Sequence, residues 1–166
     1  LLKFFAIIFF NILDKFIHQK KILKELKKIT DDISVFVDVG SHKGTYTDLI
    51  LDNFSSKKIF MFEPQKGIFK FIKKKYGKMK NIKIFNYGIS KKNSFQTIYI
   101  NKHDLTSSLN KLNKKNTYLN LKARLFSTNI NEMIHNSYKI QTVRLDSLLK
   151  KEKVHHVDLL KIDTEG

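Results

Sequence analysis

Apolar residues along the chain fall into short runs separated by lysine-rich and turn-forming stretches, and the period within each run sets the element it predicts. Over residues 16–29 the positions Phe16, Ile17, Ile22, Leu23, Leu26 and Ile29 lie close to a helical stripe with lysines opposite, which predicts a covering helix. Asp31 and Asp32 end it. Residues 34–39 are too short and too β-branched for anything but a strand. Residues 45–53 read as a crossover helix and 58–62 as a second strand, stopped by Pro64, which has no N–H for a ladder. A helix over 67–76 and a strand over 81–87 follow, closing at Gly88-Ile89-Ser90. Residues 94–100, with Thr, Ile and Tyr, read as another strand paired in a hairpin.

Residues 101–138 are rich in Asn, Lys and Ser without a clean period, and read as a long excursion with some local helix. Order returns with a strand over 139–145, a short helix over 146–150 and a buried strand over 157–162. Alternating strands and helices predict an α/β fold, a parallel sheet with right-handed crossovers and flanking helices. No internal repeat or linker marks a second domain, so the division expected is a helical segment over 1–30 and one α/β domain over 31–166. The chain starts on Leu1 and stops just after a strand, at Gly166, so the expectation is a fragment whose domain is C-terminally incomplete.

Charge changes the picture less than its size suggests. The chain has 32 Lys+Arg against 15 Asp+Glu, a net +17 that could attract phosphates, nucleic acid or an anionic membrane. Lys, Asn, Ile and Phe are abundant throughout, however, which is a chain-wide bias and not a patch, so nucleic acid is disfavoured as a partner. The absence of Cys excludes disulfides and thiolate metal sites and suits a reducing, cytoplasmic setting. Residues 1–13 are apolar except for Lys3 and Asn11 and are too short to span a bilayer. They read as a helix docked on the domain or lying at a membrane surface, or as the end of a signal anchor if more chain precedes them.

The candidate chemistry sits at the strand ends. Val35 to Val39 runs into Gly40-Ser41-His42-Lys43-Gly44, and Glu63 closes the next strand nineteen residues after Gly44. An apolar strand ending in glycines delivers backbone to a ligand, and an acid ending the next strand commonly holds a ribose. Gly40 lets the chain bend, Gly44 lets the next helix pack close, and Asp38 can accept from backbone N–H groups or a ligand amine. His42 stands where a second glycine would let a pyrophosphate approach, which tells against NAD or FAD. A cofactor with a ribose and adenine but no phosphate needs no such approach, and S-adenosylmethionine is the candidate, with Glu63 accepting from both ribose hydroxyls.

Six motifs in order extend this: Asp38 to Gly44, Phe62-Glu63-Pro64, Gly88-Ile89-Ser90, Ser107-Ser108-Leu109, Leu145 to Leu149, and Lys161-Ile162-Asp163-Thr164-Glu165-Gly166. Together they resemble the FkbM-type methyltransferases, S-adenosylmethionine-dependent O-methyltransferases of the class I Rossmann-like fold. The resemblance spans residues 35–166. It implies that Asp38, Gly40, Gly44 and Glu63 shape the cofactor site, and that a hydroxyl of a sugar, glycolipid or secondary metabolite is the acceptor. Ser41-His42-Lys43 departs from the Ala-Asn-x often seen in the turn, and Gln65-Lys66-Gly67 from the usual residues after the proline.

An alcohol acceptor needs its proton removed, and Asp163 and Glu165 are the candidate bases. Asp163 reads equally as a helix cap or a partner for a neighbouring loop. Ser107 and Ser108 could line an acceptor pocket or cap a helix, and His155 and His156 read as surface turn residues. No metal is indicated, although Asp163 and Glu165 leave a Mg²⁺ site open. The rivals are an RNA methyltransferase, a non-catalytic module that keeps the fold, and a dinucleotide oxidoreductase, the last disfavoured by His42.

Overall fold

The computed structural model describes residues 19–101, 107–108 and 134–164. In chain order its elements are α1 (Gln19–Ile29), β1 (Val35–Val39), α2 (Thr45–Asn53), β2 (Lys58–Phe62), α3 (Lys66–Tyr76), β3 (Ile82–Phe85), β4 (Gly88–Ile89), β5 (Ser94–Asn101), β6 (Ser107–Ser108), β7 (Ile134–Val143), α4 (Leu145–Lys151) and β8 (Leu159–Ile162). The apolar segment over 1–13 lies outside the described residues.

Four strands form a parallel sheet in the order β3-β2-β1-β8. Its central strands are apolar on both faces because helices cover both. Phe36, Ile59 and Met61 face Ile50 of α2 and Ile72 and Tyr76 of α3, with Leu23 and Leu26 of α1 packed against the same cluster. Val37, Val39, Phe60 and Phe62 face the other way, toward Leu145, Leu148 and Leu149 of α4. The crossovers from β1 to β2 to β3 place α2 and α3 on one face, whereas β8 joins the opposite flank of β1 with α4 on the other face. The winding direction therefore reverses between β1 and β8. That reversal opens a crevice beyond the strand ends, where sheets of this kind receive ligands.

The α/β architecture with helices flanking a parallel sheet is the one expected. One departure is a second sheet, β4-β7-β5-β6. β5 does form a hairpin with β6, pairing Tyr99 with Ser108, but its long partner is β7, antiparallel from Ser94↔Thr142 to Asn101↔Ile134. β7 begins at Ile134, five residues before the expected strand, inside the stretch that has no readable period. Thr142 is buried, and its hydroxyl lies 3.0 Å from the Ser94 hydroxyl and donates to the Ser94 carbonyl. The Tyr138 hydroxyl accepts from Lys66 N–H at 2.9 Å, tying this sheet to the start of α3. A smaller departure is Ile29, which is exposed although it completes the stripe of α1. Among the described residues no helix is long and apolar enough to cross a membrane.

Candidate functional site

The turn from Gly40 to Gly44 hangs over the C-terminal ends of three strands. Gly40 and Gly44 have φ of 72° and 80°, and His42 has φ of 46°, so the turn uses the left-handed region three times in five residues. Glycine enters that region without the steric cost other residues meet. A Cβ on Gly40 would overlap the Asp163 carbonyl oxygen, and one on Gly44 would overlap the Tyr76 ring. Gly44 thus makes room for a side chain of α3, which donates its hydroxyl to the Gly44 carbonyl at 2.9 Å. Burial and Asp48 push the Tyr76 hydroxyl upward, so it stays a donor.

Two anchors come from β2. Gly40 N–H and Ser41 N–H both donate to the Phe62 carbonyl at 3.0 Å. Glu63, 3% exposed, accepts from His42 N–H through Oε2 at 2.9 Å and from Gln65 N–H through Oε1 at 2.8 Å. Each carboxylate oxygen keeps acceptor capacity beyond these single bonds. Asn86 donates to the Glu63 and Pro64 carbonyls at 2.8 and 3.1 Å, fixing the end of β2.

Burial pushes the Glu63 carboxyl up from 4.5 to about 6, against the pull of its two backbone donors. The folded protein then holds this proton more tightly than the unfolded chain. Glu63 contributes stability that is complete below pH 4.5 and is lost as pH rises through about 6. The change is roughly 2 kcal/mol. Urea unfolding of wild type and Glu63→Gln should give a stability difference that shifts by this amount, in favour of Gln, between pH ~4.5 and ~7. A difference flat with pH would contradict the environment described.

Asp38 has no exposed surface. Oδ2 accepts from the Thr47 hydroxyl at 2.9 Å, and Oδ1 faces the Lys161 ammonium at 3.1 Å. Burial raises its carboxyl and Lys161 opposes that rise. Asp38 thus ties α2 and β8 to β1 beneath the turn, and its Oδ1 has an ion-pair partner but no hydrogen bond among the described residues. His42 Nε2 is buried without a hydrogen-bond partner among the described residues. Burial, with Lys43 and Lys161 nearby, lowers this imidazole and keeps it neutral at physiological pH.

Asp163 follows β8, its N–H donating to the Val39 carbonyl at 3.0 Å. Its carboxylate is 73% exposed and 3.7 Å from Lys161 Nζ. A groove of about 470 Å³ runs between α1 and β8, walled by Ile22, Leu26, Tyr46 and Ile162 and ending at Lys161 and Asp163. Asp38, Gly40, Gly44, Glu63 and Asp163 are thus gathered at one end of the sheet, whereas Glu165 lies outside the described residues. Ser107 and Ser108 form β6 in the second sheet. Among the described residues no group of His, Cys, Asp and Glu has the geometry to hold a metal.

The family model of the methyltransferase FkbM domain matches residues 38–166, from the buried acid of β1 through the segment after β8. The chain belongs to the FkbM methyltransferase family. No curated protein matches the sequence. The crystal structure of methyltransferase FkbM from Methylobacillus flagellatus KT is similar over 82% of this chain and 27% of its own, with 14% identity and a TM-score of 0.46. The chain spans about a quarter of the length of that protein.

Within this FkbM domain, sequence reasoning missed three residues of the site. Thr47 and Asn86 are small polar residues in ordinary elements, and nothing local marks them. Lys161 carried a signal. A lysine inside Leu159-Leu160-Lys161-Ile162 interrupts an apolar strand, and its register partner on β1 is Asp38, the acid that interrupts the other. The pairing of the two strands is what joins those interruptions.

Proposed function

We propose that this FkbM domain binds S-adenosylmethionine at the ends of β1 and β2 and methylates a hydroxyl group of a glycolipid, sugar or secondary metabolite. The observation that carries the reading is Glu63, a buried acid beside a glycine turn, with acceptor capacity left on both oxygens. Two oxygens at one carboxylate match the two hydroxyls of a ribose, and the buried, unpartnered His42 Nε2 supplies a further polar atom by the same turn. The methyl donor supplies an electrophilic methyl group. The protein holds the reacting atoms in line, an effect of ~7 to 11 kcal/mol in well-oriented reactions.

Asp163 is the residue we assign to the acceptor's proton, with Glu165 as the alternative. It is exposed, at the strand end beside the turn, and borders the groove along α1. Apolar walls leading to an acid suit an acceptor with an apolar part, which favours a glycolipid or secondary metabolite over a bare sugar. Calorimetry of the full-length folded protein with S-adenosylmethionine and with NADH tests the reading. Saturable binding of the methyl donor alone is expected. Binding of neither ligand would overturn it.

A further inference from the structure

We infer that Lys161 is a positioning residue for the donor site, pinning the Gly40–Gly44 turn to β8 through the Gly40 carbonyl. The inference rests on the proposed donor reading. Lys161 and Asp38 are register partners on adjacent parallel strands, so their side chains leave the sheet on the same face. The lysine stem passes the Tyr46 ring, with Nζ 5.0 Å from its centroid, and the side chain is 15% exposed. Nζ then donates to the Gly40 carbonyl at 2.8 Å and faces Asp38 at 3.1 Å.

The Gly40 residue is consequently held at both ends. Its N–H is bound to Phe62 of β2, and its carbonyl is bound to Lys161 of β8. The turn is strung between the strands that flank β1, and His42 N–H is aimed at Glu63 from that taut position. A buried ion pair is weak evidence for stability, since apolar pairs of similar volume often do as well. What this pair adds is direction, because a flexible left-handed glycine is held in one orientation. Asp38 is the counter-ion that makes a buried ammonium tolerable there.

Lys161→Met alone would leave Asp38 buried and unpaired, so the informative variant is the double one, Asp38→Asn with Lys161→Met. It removes both charges, and asparagine can keep the bond to Thr47. Its donor affinity, measured by calorimetry, is expected to fall at least about tenfold while cooperative thermal unfolding is retained. Lys161→Arg, which restores a cation to the Gly40 carbonyl, is expected to recover most of the affinity. Wild-type affinity in the folded double variant would overturn the role of Lys161. Loss of cooperative unfolding there would replace positioning by a purely structural role. Absence of donor binding by the wild-type protein would instead overturn the donor reading, and this role with it.

Discussion

Gly40→Ala is expected to cost about 3 to 5 kcal/mol of stability, enough to unfold a marginal domain. Part of this comes from the backbone, since φ of 72° in a residue with a Cβ carries strain of ~1 to 3 kcal/mol. The larger part is steric. The new Cβ would overlap the backbone carbonyl of Asp163, a residue that its N–H bond to Val39 holds against β1. Relief must shift backbone at the end of β8, where Lys161 also holds the turn. Gly44→Ala is a useful comparison, because its Cβ would meet the Tyr76 ring, which is buried in the core and bonded to the Gly44 carbonyl, so it too is expected to be strongly destabilising. Urea unfolding followed by circular dichroism should place both variants well below wild type. Near-wild-type stability of Gly40→Ala would show that β8 does not lie against the turn.

Glu63→Ala should weaken S-adenosylmethionine binding tenfold or more, with a smaller effect on stability at neutral pH. The proposed bonds from ribose hydroxyls to the carboxylate are charge-assisted, and each is worth ~1.5 to 3 kcal/mol. On the stability side two effects oppose. Removing the side chain leaves His42 N–H and Gln65 N–H without their acceptor, at ~1 to 3 kcal/mol for each that stays buried. It also removes a carboxylate whose ionisation is opposed by burial. Calorimetry with the methyl donor and urea unfolding on one preparation separate the two. Unchanged affinity in a folded Glu63→Ala protein would exclude the ribose contact.

Elements with a clear period were legible before any fold was known. The spans of α2 and β2 match their patterns, and β1, α3 and β8 differ from theirs by two residues or fewer. The turn glycines were legible for a related reason, since left-handed backbone leaves a mark in residue type. β7 was not legible over its first half, because Ile134–Val143 alternates weakly and its pairing with β5 is decided 33 or more residues away in the chain. Asp38 is marked in the sequence as an acid within an apolar run, but its partners are not. Thr47 is visible only once α2 packs on the sheet, and Lys161 only once β8 lies beside β1.

By itself the sequence determined the parallel α/β class, the glycine turn, the acid at the end of β2 and, through its motifs, the FkbM family. These depend on local period, on residue types that backbone geometry demands, and on order along the chain. The tertiary structure alone decided that Asp38 is sealed behind Lys161, that the turn is tied to β2 and β8 together, and that β5 pairs with β7. The reason is that a strand's pattern specifies which side chains face inward but not which strand lies beside it. A charge in an apolar run is a local liability whose partner is set by strand order and register, and here both arise only when the sheet closes across 121 residues from Gly40 to Lys161.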